Sequence, residues 1–398
     1  MKTDKKPKFP LRMAPMYMTL FMGNAAYQNN ISNFLSAASL DEQIVGTLLA
    51  LVPIVGMAGQ TLFGAIGDKV PYKNTLLVIL SCLSAGAMLL LGLGDALWLM
   101  ASSLCLYAFF QMSMEPMLNT VTLETLEKTG FAFGPIRMVG TISFAVMSPI
   151  FGLLINDQYE RLPYILFAIL LLGAAGALFL PKVEGHARRG RRAPMKELMK
   201  NRQLMIMVGF TFVLATGMSF FYVFFPVLFV SEEVGGNSAL LGIAFFVSSI
   251  SEIPFLLSSD KMIGKLGAGR VLMIAACAMA LRWITIFFLK NKYALLSTQV
   301  LHSFGYVVLS FVMAKYINQV MPMELKAGGQ LLFTLVGLTA SRAIGSLIGG
   351  VISRNFGIRN LFLIGFLMTI AALAIFAMLM HKDKALADAG KEMAREGA

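Results

Sequence analysis

Apolar runs of roughly twenty residues recur from one end of this chain to the other, and a run of that length crosses the hydrocarbon core of a bilayer as one α-helix. Helices suit that environment because each backbone N–H and C=O is satisfied inside its own segment. Twelve runs are read, at residues 14–35, 43–66, 74–94, 96–120, 134–155, 162–180, 204–229, 238–259, 270–289, 293–318, 325–352 and 359–380. Only 14% of the residues are charged, against about 25% in a soluble domain. No stretch remains for a separate soluble domain. The expected fold class is an all-α membrane protein with twelve transmembrane helices.

The placement of charge orients these helices. Residues 181–203 read PKVEGHARRGRRAPMKELMKNRQ, a basic island between the sixth and seventh runs. Clustered Lys and Arg beside spans stay in the cytoplasm. The island therefore marks a cytoplasmic linker, and the net charge of +12 needs no nucleic-acid partner to explain it. The expected organisation is a six-helix bundle over 1–180, the linker 181–203, a second six-helix bundle over 204–380 and a cytoplasmic tail 381–398. Both termini fall inside, in the plasma membrane. The start, MKTDKKPKFPLR, leads into an uncleaved first helix. Asp41, Glu42, Asp157, Glu160, Glu232 and Glu233 fall outside; Lys290, Lys292, Arg354 and Arg359 do so as exceptions to the rule. Cys82, Cys105 and Cys277 lie inside spans without paired spacing and are expected to be small buried hydrophobes rather than disulfides or metal ligands.

The two halves repeat. GAIGDKVPYKNTLL (64–77) follows the second run, and SSDKMIGKLGAGRVLM (258–273) follows the eighth. Each has Asp-Lys after a span, then further basic residues, then a new apolar run. Asp68 and Asp260 thus occupy equivalent places in two pseudo-symmetric bundles, a common plan of secondary transporters. The first copy resembles the loop signature of the major facilitator superfamily at Gly64, Asp68, Lys69 and Lys73, with Pro71 and Tyr72 in place of the usual Gly and Arg. The resemblance implies that these residues, with Asp260, latch helix ends in one conformation.

Charges inside spans are the sparse feature that remains. Each costs about 2.5–3.5 kcal/mol at a helix centre, so each is expected to face water or a partner. Glu115, Arg137, Glu252, Arg282, His302 and Arg342 lie within the runs. Lys315 sits near a span end and can snorkel, and Glu124 with Glu127 reads as a solvated helix face. The first span carries Asn24, Tyr27, Gln28, Asn29, Asn30 and Asn33, too many polar groups to face lipid, so part of it is expected to line a cavity.

The segment EPMLNTVTLETLEKTGFAFGPIRMVGTISF (115–144), with SEIP (251–254), Arg282-Trp283, QVLH (299–302) and AKYI (314–317), resembles the lactose permease, nucleoside:proton symporter and phenylpropionate permease branch of the superfamily. The resemblance covers both halves. It implies that Arg137 and Glu252 bind solute from opposite halves of a cavity, with Asn119, Phe144, Asn24 and Tyr27 as further lining residues. Three departures stand out: Asn119 replaces the carboxylate that partners the Arg, Phe144 replaces a stacking Trp, and Gly305 replaces the proton-exchanging Glu. They weigh against a galactoside. Proton coupling then falls to Glu252, Glu115 or His302, with Arg282 tuning a neighbour.

No phosphate loop, metal-ligand spacing or nucleophile elbow is present in the sequence, and neither an enzyme nor a cofactor is expected. The expectation is a monomeric, proton-coupled symporter of a small polar organic solute (sugar, nucleoside or aromatic acid), with the small molecule, protons and the lipid bilayer as partners. A drug/proton antiporter is the nearest alternative, although the fifth span carries only an isolated Ser148-Pro149. A non-transporting receptor is the rival from another class.

Overall fold

The computed structural model describes residues 10–127, 131–184 and 195–382. Most of the basic island and the C-terminal tail therefore lie outside the described residues. Twelve long helical segments follow in order: α1 Ala14–Ala37, α2 Glu42–Gly67, α3 Lys73–Leu91, α4 Leu97–Glu127, α5 Phe133–Ile155, α6 Tyr159–Leu178, α7 Arg202–Val230, α8 Ser238–Leu266, α9 Ala268–Phe288, α10 Lys292–Val320, α11 Leu325–Phe356 and α12 Ile358–Lys382. Eleven are long and apolar enough to cross a membrane. The exception is the amide-rich α1, whose 24 residues still match the length of a span.

Local chemistry sets the helix ends. The side chains of Asn201, Asn237 and Asn291 cap α7, α8 and α10 by accepting first-turn backbone N–H groups. Between α8 and α9 the chain turns on Gly267 alone, and between α11 and α12 on Gly357 alone. Their φ angles of 85° and 87° require glycine. Three helices depart from α geometry in mid-span. α4 breaks between Gln111 and Met114, where Gln60 Nε2 donates to the Met112 carbonyl at 2.8 Å. α10 tightens to 3₁₀ over Thr298–Phe304, and α11 widens to a π-helix over Phe333–Ala340.

The chain forms two compact units. The first comprises Met1–Ala38 with Leu51–Arg189, and the second Ser39–Ala50 with Gly190–Ala398. The core of the first gathers Tyr17, Leu77, Leu80, Leu118 and Ile136. In the second, Phe221, Phe225, Trp283, Tyr316 and Phe362 are fully buried, and Phe210 stacks on Phe376 at 4.0 Å. Cys82 and Cys277 are exposed rather than buried. A span has an apolar surface as well as an apolar interior, so hydrophobicity alone does not place a small residue inside.

The four cations that broke the inside-positive rule are all engaged in the second unit. Arg359 sits at the start of α12 and donates to the carbonyls of Ile286, Phe287 and Leu289 at the end of α9, at 3.0, 3.1 and 2.5 Å. Its Nε also meets Glu233 at 2.9 Å, and Lys290 approaches the same carboxylate at 3.4 Å. Lys292 donates to the Gly235 carbonyl at 3.0 Å, and Arg354 donates to Gln43 at 2.8 Å and lies 3.7 Å from Asp41. These cations hold loops and helix ends together, and carbonyls at a helix C-terminus favour them.

Burial pushes the Glu233 carboxyl up, but the bond and charge of Arg359, then those of Lys290, outweigh it and hold the group below the usual carboxylate range. Glu233 is nearly half exposed, so most of the stabilisation resides in the carbonyl cap. Replacing Arg359 by Gln is expected to cost about 2 kcal/mol and to lower the midpoint of thermal unfolding in detergent. The Glu233 contribution is complete above the ordinary carboxylate pKa of about 4.3 and is lost as pH falls through the lowered value. The Arg359→Gln midpoint should accordingly fall less steeply than the wild-type midpoint on acidification.

Candidate functional site

Each unit holds one polar cluster built on its spans. In the first, Arg137 stands on the opening turns of α5 and pairs with Glu115 of α4 at 2.9 Å. The Arg137 guanidinium lies 4.2 Å from the centre of the Phe21 ring. One turn along α5, a Cβ at Gly140 would come within 2.6 Å of that ring, so only glycine lets Phe21 underlie the guanidinium. Both charged side chains remain about one-third exposed, which leaves them within reach of a ligand.

The pairing supplies a carboxylate for Arg137 where the sequence has Asn119 in place of the one expected from the resemblance. Asn119 stands at the position that matches the family's carboxylate, but it is occupied: Tyr17 donates to Asn119 Oδ1 at 2.7 Å and lies 3.2 Å from Thr122 Oγ1. The carboxylate for Arg137 comes instead from Glu115, one helical turn earlier on the same face of α4. Phe144, two turns beyond Arg137, is half-buried and packs against the first unit's core. Asn24 is half-buried, and the Tyr27 ring lies against Tyr107 at 4.8 Å. Asn29, Asn30 and Asn33 are buried in the unit. Asn29 donates to Ser148 Oγ at 2.9 Å and ties α1 to α5, while Asn30 donates back to the Ala26 carbonyl. Only part of the amide run is therefore open to a solute.

The second cluster is built around a fully buried arginine. Arg282 of α9 donates to Gln299 Oε1 at 2.5 Å and lies 3.0 Å from His302 Nδ1, and its guanidinium sits 3.9 Å from the centre of the Phe221 ring. A guanidinium has donors and no acceptor, so His302 Nδ1 must accept and its proton resides on Nε2. That Nε2 faces Tyr222 Oη at 3.2 Å and Glu252 Oε1 at 3.7 Å. Ser248 donates to Gln299 Oε1 at 3.1 Å and completes the anchor. The 3₁₀ turn in α10 carries both Gln299 and His302. At Gly305, where the family has its carboxylate, a Cβ would meet the Met218 sulfur at 2.7 Å, so a thioether occupies that place.

Three contributors escaped the sequence reading. Tyr222 is hidden within the aromatic run FFYVFF, and Gln299 drew notice only as part of a motif. Glu124, read as a solvated carboxylate, pairs with the buried Lys73 at 2.6 Å; the Lys73 backbone N–H also bonds the Val183 carbonyl. A buried ammonium needs a partner, and α4 runs past its apolar stretch far enough to supply one. Of the other expected latch residues, Asp68 and Lys69 are exposed at the end of α2, and Gly64 has open space beside it. Asp260 lies in α8, and its side chain falls outside the described residues. Among the described residues no group of three or more His, Cys, Asp or Glu is placed to hold a metal ion.

Residues 11–382 match the MFS_1 like family. The chain is 25% identical over 383 residues to the maltose permease of Geobacillus stearothermophilus, covering 96% of each protein. It is 23% identical to the uncharacterized transporter YwbF of Bacillus subtilis (strain 168), covering 92% of each. The fold matches that of a mutant of the nucleoside transporter NupG with a TM-score of 0.85 at 16% identity, over 92% of this chain and 98% of that one. The chain belongs to the MFS_1 like family and is a multi-pass secondary transporter of the major facilitator superfamily, not an enzyme.

The pairing in the first unit is open to a direct check. A double-mutant cycle on thermal unfolding should give a coupling of about 1 kcal/mol between Glu115 and Arg137 and none between Asn119 and Arg137. The Tyr17–Asn119 cycle should show its own coupling.

Proposed function

We propose that this transporter takes up a small polar organic solute together with a proton by alternating access, with both termini on the cytoplasmic side of the plasma membrane. The observation that carries the proposal is the Glu252–His302–Arg282 chain. Arg282 fixes the His302 tautomer, and the Nε2–H that results is directed toward Tyr222 and the Glu252 carboxylate. A second proton on His302 would have to sit on Nδ1, against a guanidinium. In this reading Glu252 is the group that gains and loses the proton, 3.7 Å from His302 Nε2. Protonation turns the Glu252 carboxyl from a pure acceptor into a donor and so changes what it offers a solute. That change is the link between proton and solute.

Arg137 is the solute-binding group of the first unit, where its planar fork can meet two oxygens of a ligand at once. Hydroxyl-bearing solutes are consistent with the names of the maltose permease relative and of the nucleoside transporter that shares the fold. Asn24, Phe144 and the exposed edge of Glu115 are the neighbours that such a solute would touch.

Adding the transported solute to lightly buffered, de-energised cells should raise external pH as protons enter with it. Glu252→Gln should keep solute exchange but lose accumulation against a gradient; full proton-driven accumulation in that variant would refute the proposal. Arg137→Lys should weaken solute binding by about tenfold or more despite its retained charge, because the fork is lost.

A further inference from the structure

Arg342 is a mid-span cation whose guanidinium makes no hydrogen bond or ion pair among the described residues. It stands in the first turn of the α-helical part of α11, directly after the π segment. At about 1.5 Å of rise per residue it lies roughly 20 Å from either end of α11, too far for an arginine to reach an interface. It is half-buried. Among the described residues no hydrogen bond or ion pair engages its guanidinium, and its one aromatic contact is the Tyr222 ring, 5.6 Å from ring centre to guanidinium carbon.

Its surroundings are specific. The adjoining stripe of α11 packs against α7, where a Cβ at Gly345 would meet the Thr216 carbonyl at 2.8 Å and one at Gly349 the Phe224 ring at 2.6 Å. Arg342 shares its own stripe with Ser346 and Gly350, four and eight residues on. The outer part of that stripe is covered by the start of α2: a Cβ at Gly46 would lie 2.4 Å from the Ser346 carbonyl, and one at Gly350 2.7 Å from the Glu42 carbonyl. Arg342 thus lies one turn below a sealed helix contact, beside the tyrosine that bonds His302.

The charge balance of the second unit points the same way. Its mid-span ionic groups are Glu252, Arg282 and Arg342, two guanidinium charges against one carboxylate, with His302 neutral. The first unit's cluster balances, Glu115 against Arg137. An uncompensated guanidinium at mid-span is costly, and retaining one makes sense where a ligand supplies the counter-charge.

Resting on the transport reading above, we infer that Arg342, held on the face of Tyr222, is the anion subsite of this transporter and that its solute carries a single carboxylate. The aromatic face takes one side of the guanidinium, and the free N–H fork matches a carboxylate in a bidentate pair. A sugar acid or an aromatic acid supplies such a carboxylate. Entry of a monoanion with one proton on Glu252 moves no net charge.

The test is ligand-induced thermal stabilisation of the purified protein in detergent, with no gradient present, using matched pairs at millimolar concentration: glucuronate and glucose, benzoate and benzamide, with maltose and uridine as neutral probes. An acid is expected to raise the midpoint where its neutral twin does not. Arg342→Gln should weaken that acid at least tenfold, with Arg342→Lys intermediate. The unliganded Arg342→Gln protein should melt close to wild type, since only the 5.6 Å contact with the Tyr222 ring is lost, and this separates ligand binding from a structural role. Stabilisation by neutral twins alone, wild-type affinity for the acid in Arg342→Gln, or no acid stabilising the wild type would each overturn the inference. Failure of proton-driven accumulation with acid binding intact and Arg342-dependent would instead refute the transport reading and leave the subsite standing.

Discussion

A guanidinium buried in a membrane protein has no water to fall back on, and Arg282 shows how much structure must be organised around one. Its exposure is 1%. Desolvating a cation on this scale costs several kcal/mol unless neighbouring groups return it. Gln299, His302 and the face of Phe221 do so. Because the arginine can only donate, the histidine beside it loses its freedom of tautomer, and the proton on Nε2 looks toward Tyr222 and Glu252. The chemistry of the second unit thus follows from one buried charge. Lys73 is a smaller case of the same demand, met by Glu124.

Three of the ionisable groups also sit where helices depart from α geometry. Glu115 follows the break in α4, His302 lies in the 3₁₀ turn of α10, and Arg342 follows the π segment of α11. α4 and α10 are the fourth helices of their respective sets of six, so the repeat extends to where the breaks fall. Such segments alter the direction in which side chains leave the helix, and they free backbone groups that need neighbours to satisfy them. In a bilayer that is tolerated where polar partners are at hand. Site and irregularity therefore occur together for a physical reason.

The spans were legible because the bilayer imposes a length and a polarity that a window of sequence can measure. Most boundaries agree within a few residues. The larger differences fall at α4 and α8, which continue to Glu127 and Leu266; hydropathy stops at the edge of the apolar stretch, whereas backbone hydrogen bonding does not. The ionic residues were legible as rare charges, but their partners were not. Glu115 rather than Asn119 meets Arg137 because the choice depends on how α4 is turned against α5, one helical step that no single-sequence pattern encodes. Tyr222 was invisible among four phenylalanines of similar size, since only its hydroxyl distinguishes it from them. The exposed Cys82 and Cys277 show the converse: in a span, an apolar residue carries no information about which way it faces.

The replacement at Gly305 has a consequence for both clusters. A carboxylate one turn beyond His302 would give Arg282 a nearby counter-charge and a proton site of its own. With Met218 filling that place, Glu252 is the mid-span carboxylate that balances the second unit's two guanidinium charges and, in the proposed reading, carries the coupled proton. Protonating it leaves two guanidinium charges without an internal anion, so the protonated state favours an anionic ligand and the ionised state disfavours it by repulsion between carboxylates. In the proposed proton-coupled reading, proton and anion promote each other's binding, because binding linkage is reciprocal, and the coupling arises from the scarcity of negative charge.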